Sequence, residues 1–283
     1  MRRSFSLPRV VLTITTLLFP IALLSQPLWL DRSHDKTVAL EILKPDFDDE
    51  YNTTFTSSLA VFLSLRYPIG KKVLLVAELP FVHSKAEFFG YDKSDNSIGN
   101  PYLGLEIRGE GSPFFAEVGV RAPLTQEEED GELNVAAIVG AMIDQVDRLE
   151  AFAPDYLPIT GMVNYQHKDP SGFVFRLRSG PAFLIDTDKQ EREDATESFL
   201  LYSAQAGYES KQISVDAGLS GRWWLTTEEY DTFGERTIHQ FGLTTSIGLG
   251  IVRPGLQIRL PLDKDLTEFL DLVFGVNLGI HLK

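Results

Sequence analysis

The 283-residue chain has no cysteine, little positive charge, and no long apolar run after its first 25 residues. Without cysteine there is no disulfide scaffold, no thiolate nucleophile and no cysteine zinc site. Without a later run of about 18–20 apolar residues, a polytopic helical membrane protein is excluded. Only 26 Lys and Arg stand against 40 Asp and Glu, a formal net charge of −14. A chain so acidic repels phosphate, so nucleic acid is not expected as a partner. A mean hydropathy of −0.04 is that of an ordinary water-soluble protein. The order of the residues says otherwise.

Residues 1–25 begin with Arg2 and Arg3, continue through an apolar core from Val10 to Leu24, and end on Ser25. This is the layout of a cleaved secretory signal. Thr13, Thr15, Thr16 and Pro20 inside the core argue against a retained anchor helix. Export without cysteine points to a bacterial envelope. Residues 26–36 then read as a lead-in and 37–283 as one domain.

In that domain the dominant period is two. Leu59, Val61, Leu63, Leu65 and Tyr67 point one way, while Ser58, Ala60, Phe62, Ser64 and Arg66 point the other. The same alternation marks Leu103–Ile107, Phe114–Ala122, Phe173–Leu177, Tyr202–Tyr208, Ile213–Trp223, Phe241–Leu249, Leu256–Leu262 and Leu270–Leu282. A helix would repeat at 3.6, so these are strands. With Val73–Phe81, Leu157–Tyr165 and a first strand near Val38–Leu43 they number about twelve, and their connections alternate between short turns and longer acidic loops, as in an up-and-down outer-membrane barrel. The expected turns are Pro68–Lys72, Gly109–Ser112, Gln166–Gly172, Glu209–Gln212 and Val252–Gly255, the last through Arg253-Pro254-Gly255. The expected loops include Asp46–Asn52, His83–Ser97, Thr125–Glu132, Asp186–Glu197 and Thr227–Glu235.

A soluble sandwich or lipocalin-like barrel fits less well. One face of nearly every strand is unbroken apolar, while the other mixes glycine with Arg and Glu at mid-strand. Aromatic residues gather at the strand ends: Phe55, Phe81, Phe183, Tyr202 and Trp223 toward the loops, and Tyr67, Phe114, Tyr165, Phe173 and Tyr208 toward the turns. Two such belts match the girdles at two membrane interfaces. The expected fold is therefore all-β, a transmembrane antiparallel barrel of about twelve strands, set in outer-membrane lipid.

One stretch departs from the pattern. Between Val135 and Phe152 apolar residues recur at three and four, with Asp144, Asp147 and Arg148 largely opposite. This predicts one amphipathic helix of about four turns in a long-loop connection. It could cap the barrel or plug it, and Val139 and Met142 are its expected contacts with the rim or inner wall.

The residues expected to line the lumen are Glu78, Glu106, Arg108, Glu117, Arg121, Arg176, Arg178, Asp216, Arg222, Arg259 and Asp271. The set holds six arginines, five acids and no lysine. Arginine presents a planar fork that pairs with carboxylates two bonds at a time. Such a lumen can be an internal ion-pair network, a polar conduit, or both. Arg176 and Arg178, adjacent on one inward face, mark the expected constriction. Neither a catalytic site, a metal site nor a cofactor is expected. Among the five histidines only His239 falls mid-strand on the outer face, and the outward neighbours Trp223, Leu225 and Leu256 offer no serine nucleophile. The run Glu127-Glu128-Glu129-Asp130 lacks EF-hand spacing.

The segment Ser97-Ile98-Gly99-Asn100-Pro101-Tyr102-Leu103-Gly104-Leu105-Glu106, preceded by Glu78-Leu79-Pro80-Phe81, resembles outer-membrane barrels of the "MetA-pathway of phenol degradation" type. The resemblance is strongest over residues 55–125, with support from Asp147-Arg148-Leu149 and Phe173–Pro181. It implies a porin-like uptake protein associated with aromatic catabolism, inserted by the barrel-assembly machinery. The ending His281-Leu282-Lys283 departs from the terminal aromatic that such barrels often carry. Three functions are thus in view. The leading one is a passive channel for small, aromatic or hydrophobic molecules. Behind it stand a structural or adhesin-type barrel sealed by ion pairs, and a lipid-modifying enzyme, which lacks its nucleophile.

Overall fold

The computed structural model describes residues 36–47, 53–55, 57–88, 91–125, 134–187, 196–227 and 232–282. The expected signal segment, nearly all of the lead-in and the Glu127–Asp130 run lie outside the described residues.

Among the described residues the strands are β1 (Lys36–Phe47), β2 (Thr53–Phe55), β3 (Leu59–Pro68), β4 (Val73–Phe88), β5 (Tyr91–Ile98), β6 (Tyr102–Arg108) and β7 (Phe114–Arg121). They continue as β8 (Tyr156–Lys168), β9 (Phe173–Asp186), β10 (Thr196–Glu209), β11 (Ile213–Trp224), β12 (Thr237–Ile247), β13 (Val252–Pro261) and β14 (Leu270–Leu282). All but β2 and β5 pair antiparallel in chain order and close through β1 and β14, from Lys36 opposite Leu282 to Phe47 opposite Leu270. The result is a closed barrel of twelve antiparallel strands. Closure leaves none of these twelve strands at an edge of the barrel, which is the condition for a sheet to sit in hydrocarbon.

The two faces follow the alternation. Along β7 every second residue is buried, from Phe115 to Arg121, and those between are exposed. Outward Val118 and Val163 are 51% and 61% exposed although apolar, which is affordable only where lipid covers them. Exposed Phe81 and Phe183 stand near the loop ends, and exposed Tyr67, Phe114, Phe173 and Tyr208 near the turn ends. Among the described residues no helix is long and apolar enough to cross a membrane.

Turns form where local chemistry supports them. In the β8–β9 turn, Asp169 Oδ1 accepts from Ser171 Oγ, Ser171 N and Phe173 N at 2.6, 2.8 and 3.1 Å. The Ser171 hydroxyl, with the backbone donors, holds the Asp169 carboxyl below its usual range. Two expected connections are corrected. The His83–Ser97 "loop" is a hairpin, since β4 runs to Phe88 and β5 returns along it. The β12–β13 turn lies at Gly248–Ile251, where Gly250 adopts a φ of +73°. Arg253, Pro254 and Gly255 are therefore strand residues.

The single helix is corrected as well. Residues 135–151 form α1 (Val135–Ile143), α2 (Gln145–Arg148) and a 3₁₀ turn at Leu149–Ala151. The break falls at Asp144, whose backbone leaves the helical region at φ −128° and ψ 38°. Asn134 caps α1 by accepting from Ala137 N at 2.9 Å. Pieces of nine, four and three residues cannot all present one stripe once the axis is broken, so apolar and charged residues alike become buried.

Candidate functional site

The segment from Asn134 to Ala153 is folded against the barrel's inner wall and buries side chains in the lumen. Ala136, Val139, Ile143, Ala151 and Phe152 form one core with inward Leu43, Ala60, Phe62, Val82 and Val273 of β1, β3, β4 and β14. Phe152 meets Phe62 edge-on at 5.8 Å between ring centres. Its ring fits because Gly99 and Gly140 face it: a Cβ on either would come within 2.8 Å of the ring. Across the lumen, Leu149 and Ala153 pack on Ala182, Leu184 and Phe199 of β9 and β10. The inner wall is thus apolar in its loop-side half, where the segment sits.

The expected contact at Val139 is present, and it is made to the inner wall. Met142 borders a small cavity with Gln240, Arg259 and Leu270. Ile138, expected in the apolar stripe, is exposed instead.

Below this core the segment delivers charge. Arg148 is 1% exposed. Its guanidinium reaches Glu41 of β1 at 2.6 Å, Glu78 of β4 at 3.1 Å and Asp144 of its own segment at 2.5 Å. It also lies 3.6 Å from the centre of the Phe62 ring, a cation–π contact. Arg259 of β13 pairs with the other oxygens of Asp144 and Glu41, at 2.6 and 3.1 Å. Arg121 of β7 completes the circuit on Glu78 at 2.7 Å. Gln257 donates to Glu41 and Gln240 to Asp147. Burial would raise the Asp144 carboxyl, but Arg148 and Arg259 outweigh it and hold Asp144 below its usual range. At Asp147 burial prevails over Arg259, and the carboxyl is raised.

Asn100, fully buried, fastens the segment's other end. It sits in the gap between β5 and β6, where the backbone leaves the ladder. Its Nδ2 donates to the carbonyls of Glu150 and Ala153 at 3.2 and 2.7 Å, and its Oδ1 accepts from Leu124 N and Thr125 N, both at 2.9 Å. Its backbone N donates to Ala151 O at 2.7 Å. Glu150 in turn meets Arg222 of β11 at 2.8 Å.

The residues expected in the lumen divide accordingly. Glu78, Arg121 and Arg259 join the Arg148 network, and Arg222 holds Glu150. Glu106 stands between Arg66 at 2.5 Å and Arg108 at 3.5 Å, nearer the turns. Glu117 accepts from the Tyr102 hydroxyl at 3.0 Å. Arg176 lies along the wall on Glu209 at 2.5 Å and Asp216 at 3.6 Å, without reaching across. Arg178, half-buried, borders a small cavity beside Val146 and Asp147. Asp271 is not brought in: it is exposed beside the register shift at Asp46 and Phe47.

Glu41, Arg66, Asn100, Asp144, Arg148 and Glu150 were not among the expected residues. Arg66 could have been read from its face of β3. Arg148 could not, because a charge opposite an apolar stripe ordinarily marks solvent. Three cavities that border the segment measure about 40, 30 and 10 Å³, each the size of one or a few waters. Among the described residues no cluster of His, Asp or Glu is arranged to hold a metal ion.

A closed twelve-stranded barrel with an apolar outer band and a charged interior has the fold of an outer-membrane β-barrel. Comparison with solved structures agrees at the level of fold. The chain is similar to the COG4313 outer membrane channel from Pseudomonas putida F1, with TM-score 0.59 and 11% identity over 91% of this chain and 99% of that one. It is also similar to the translocator domain of the autotransporter NalP from Neisseria meningitidis, with TM-score 0.55 and 9% identity over 97% and 95% of the two chains. The NanC porin gives TM-score 0.52 and 5% identity over 87% and 100%. No family model and no curated protein matches the sequence.

Proposed function

We propose that the barrel is a passive channel for small molecules, closed in this conformation by the 134–153 segment and opened when that segment moves. One observation carries the reading: the central ion-pair network is completed by Arg148 and Asp144, which belong to a loop and not to the wall. An apolar seal would resist hydration when lifted. Here water entering with the displaced segment would solvate Glu41, Glu78, Arg121 and Arg259, so the desolvation that opposes burying such charges favours reopening. The vacated wall would present apolar Leu43, Phe62, Val82 and Phe199 above a belt of paired Arg and Glu. That lining suits small aromatic or amphipathic solutes better than strongly charged ones. It is in keeping with the likeness to an outer-membrane channel and with the resemblance to barrels of aromatic catabolism.

A second reading, a structural or adhesin-type barrel, is favoured by the completeness of the Arg148 pairing. Planar-bilayer recording separates the two. The channel reading expects wild type to show rare or small openings and a variant lacking residues 134–152 to conduct steadily. Silence of both would leave the sealed barrel.

A further inference from the structure

The outer wall carries a feature the channel does not use. Between β7 and β12 the lipid-facing surface is dented into a groove of about 650 Å³, bordered by Val163, Leu177, Ala204, Leu219, Tyr202 and Leu262. This is the size of sites that hold small ligands, which are mostly apolar with a few convergent polar groups. A barrel wall is ordinarily convex. Here the β8–β9 ladder is interrupted between the Thr160–Ala182 and Val163–Ser179 pairs. Gly161 and Gly180 approach so closely there that a Cβ on Gly180 would overlap the Gly161 carbonyl.

At its loop-side end the groove meets a polar relay. His239 Nδ1 lies 3.1 Å from Asp263 Oδ1, and His239 Nε2 lies 2.7 Å from the Tyr202 hydroxyl. His239 N also donates to Asp263. For a neutral imidazole the hydrogen bonds set the roles in turn. The carboxylate of Asp263 takes the proton-bearing Nδ1, which leaves Nε2 bare. Nε2 accepts from the phenol, so the Tyr202 oxygen has used its only donor and keeps lone pairs for a further donor. The outward neighbours of His239 in the sequence offer no serine, and its Nε2 partner in the structure is the Tyr202 phenol. The relay is built to hold an acceptor at the rim of an apolar groove.

We propose that this groove binds the hydrocarbon chain of a hydroxyl-headed lipid of the surrounding membrane, the head group donating a hydrogen bond to the Tyr202 oxygen. The occupant follows from hydrogen-bond complementarity and position. An apolar tail suits a groove opening sideways into hydrocarbon, and a head with an O–H donor suits the acceptor at the loop-side interface. A head carrying only acceptors, such as a methyl ether, would leave the Tyr202 oxygen without a donor.

The test uses the full barrel in phospholipid vesicles with two photoreactive probes, a monoacylglycerol bearing a mid-chain diazirine and its methyl-ether analogue. Cross-links are mapped by peptide mass spectrometry. The monoacylglycerol should label Val163, Leu177 and Leu219 about fivefold more than Leu63, Leu79 and Leu103 on the other side of the barrel. The excess should be saturable by unlabelled monoacylglycerol, absent with the methyl ether, and largely lost in Tyr202→Phe. Ala204→Trp, which fills the groove, should abolish it while the barrel keeps its heat-dependent gel shift. If that variant misfolds, Leu219→Trp serves in its place, read at Val163 and Leu177. Uniform, unsaturable labelling around the wild-type barrel would overturn the proposal, and so would equal labelling by the methyl ether. Neither result bears on conductance, so this inference and the channel reading fail separately.

Discussion

Arg148 and Asn100 both fasten the 134–153 segment to the barrel wall, and they do it by different means. Arg148 neutralises three carboxylates that water cannot reach, so removing it costs far more than a surface ion pair would. Arg148→Met should lower stability to chemical denaturation by about 3–5 kcal/mol, since Glu41, Glu78 and Asp144 each lose one of two buried cation partners and keep only Arg259 or Arg121. A smaller loss, with the segment becoming protease-sensitive, would show that it swings out and lets water repair the site. Asn100 works through two donors and two acceptors, each worth about 1 kcal/mol, so Asn100→Ala should cost roughly 2–4 kcal/mol and Asn100→Asp a comparable amount. The two aspartates of the segment should differ in sign. Asp144 is held low by Arg148 and Arg259, so its contribution is present above the unfolded carboxylate range and is lost as pH falls through its folded value. Asp147 is raised by burial, so its charge opposes folding near neutral pH and is relieved on acidification. At pH 7, Asp144→Asn should melt lower than wild type and Asp147→Asn no lower; the reverse order would contradict the assignment.

At the scale of elements, strands and inserted segment were legible to different degrees. Strand faces follow a period of two that packing cannot disguise, so Val118 and Val163 could be placed outward, and Glu78 and Arg259 inward, from alternation alone. The segment was visible as helical, but not as broken or inserted. Its break depends on Asp144 leaving the helix to meet Arg148 and Arg259, and Arg259 is 115 residues away in sequence. Local pattern cannot contain that pairing. The same holds for Asn100, which lies in the Ser97–Glu106 segment that carries the family resemblance, while its partners, Glu150 and Ala153, lie some fifty residues on. Asp271 was misplaced because a register shift at the rim ends the alternation that would have turned it inward. The helix has little independent stability, since pieces this short are marginal in water. A peptide of residues 134–153 should show no more than slight helicity by circular dichroism in buffer. A strongly helical peptide would mean that the segment is preformed and that the barrel only receives it.

For the whole molecule, the apolar exterior and closed sheet require a bilayer, and the proposed channel turns on the inserted segment. Val118→Arg on the lipid face should cost roughly 2–4 kcal/mol near the midplane, measured by unfolding from vesicles. An arginine at inward Ser64, near the turn-side charges, should cost clearly less. Equal costs would mean the faces are misassigned. The most direct test of the central claim is single-channel recording of wild type beside the 134–152 deletion in planar bilayers. A channel closed by a movable segment predicts brief or small openings in wild type and a stable, several-fold larger conductance in the deletion. Wild-type conductance equal to that of the deletion would contradict the claim that the segment closes the lumen, and silence of both would contradict the channel itself.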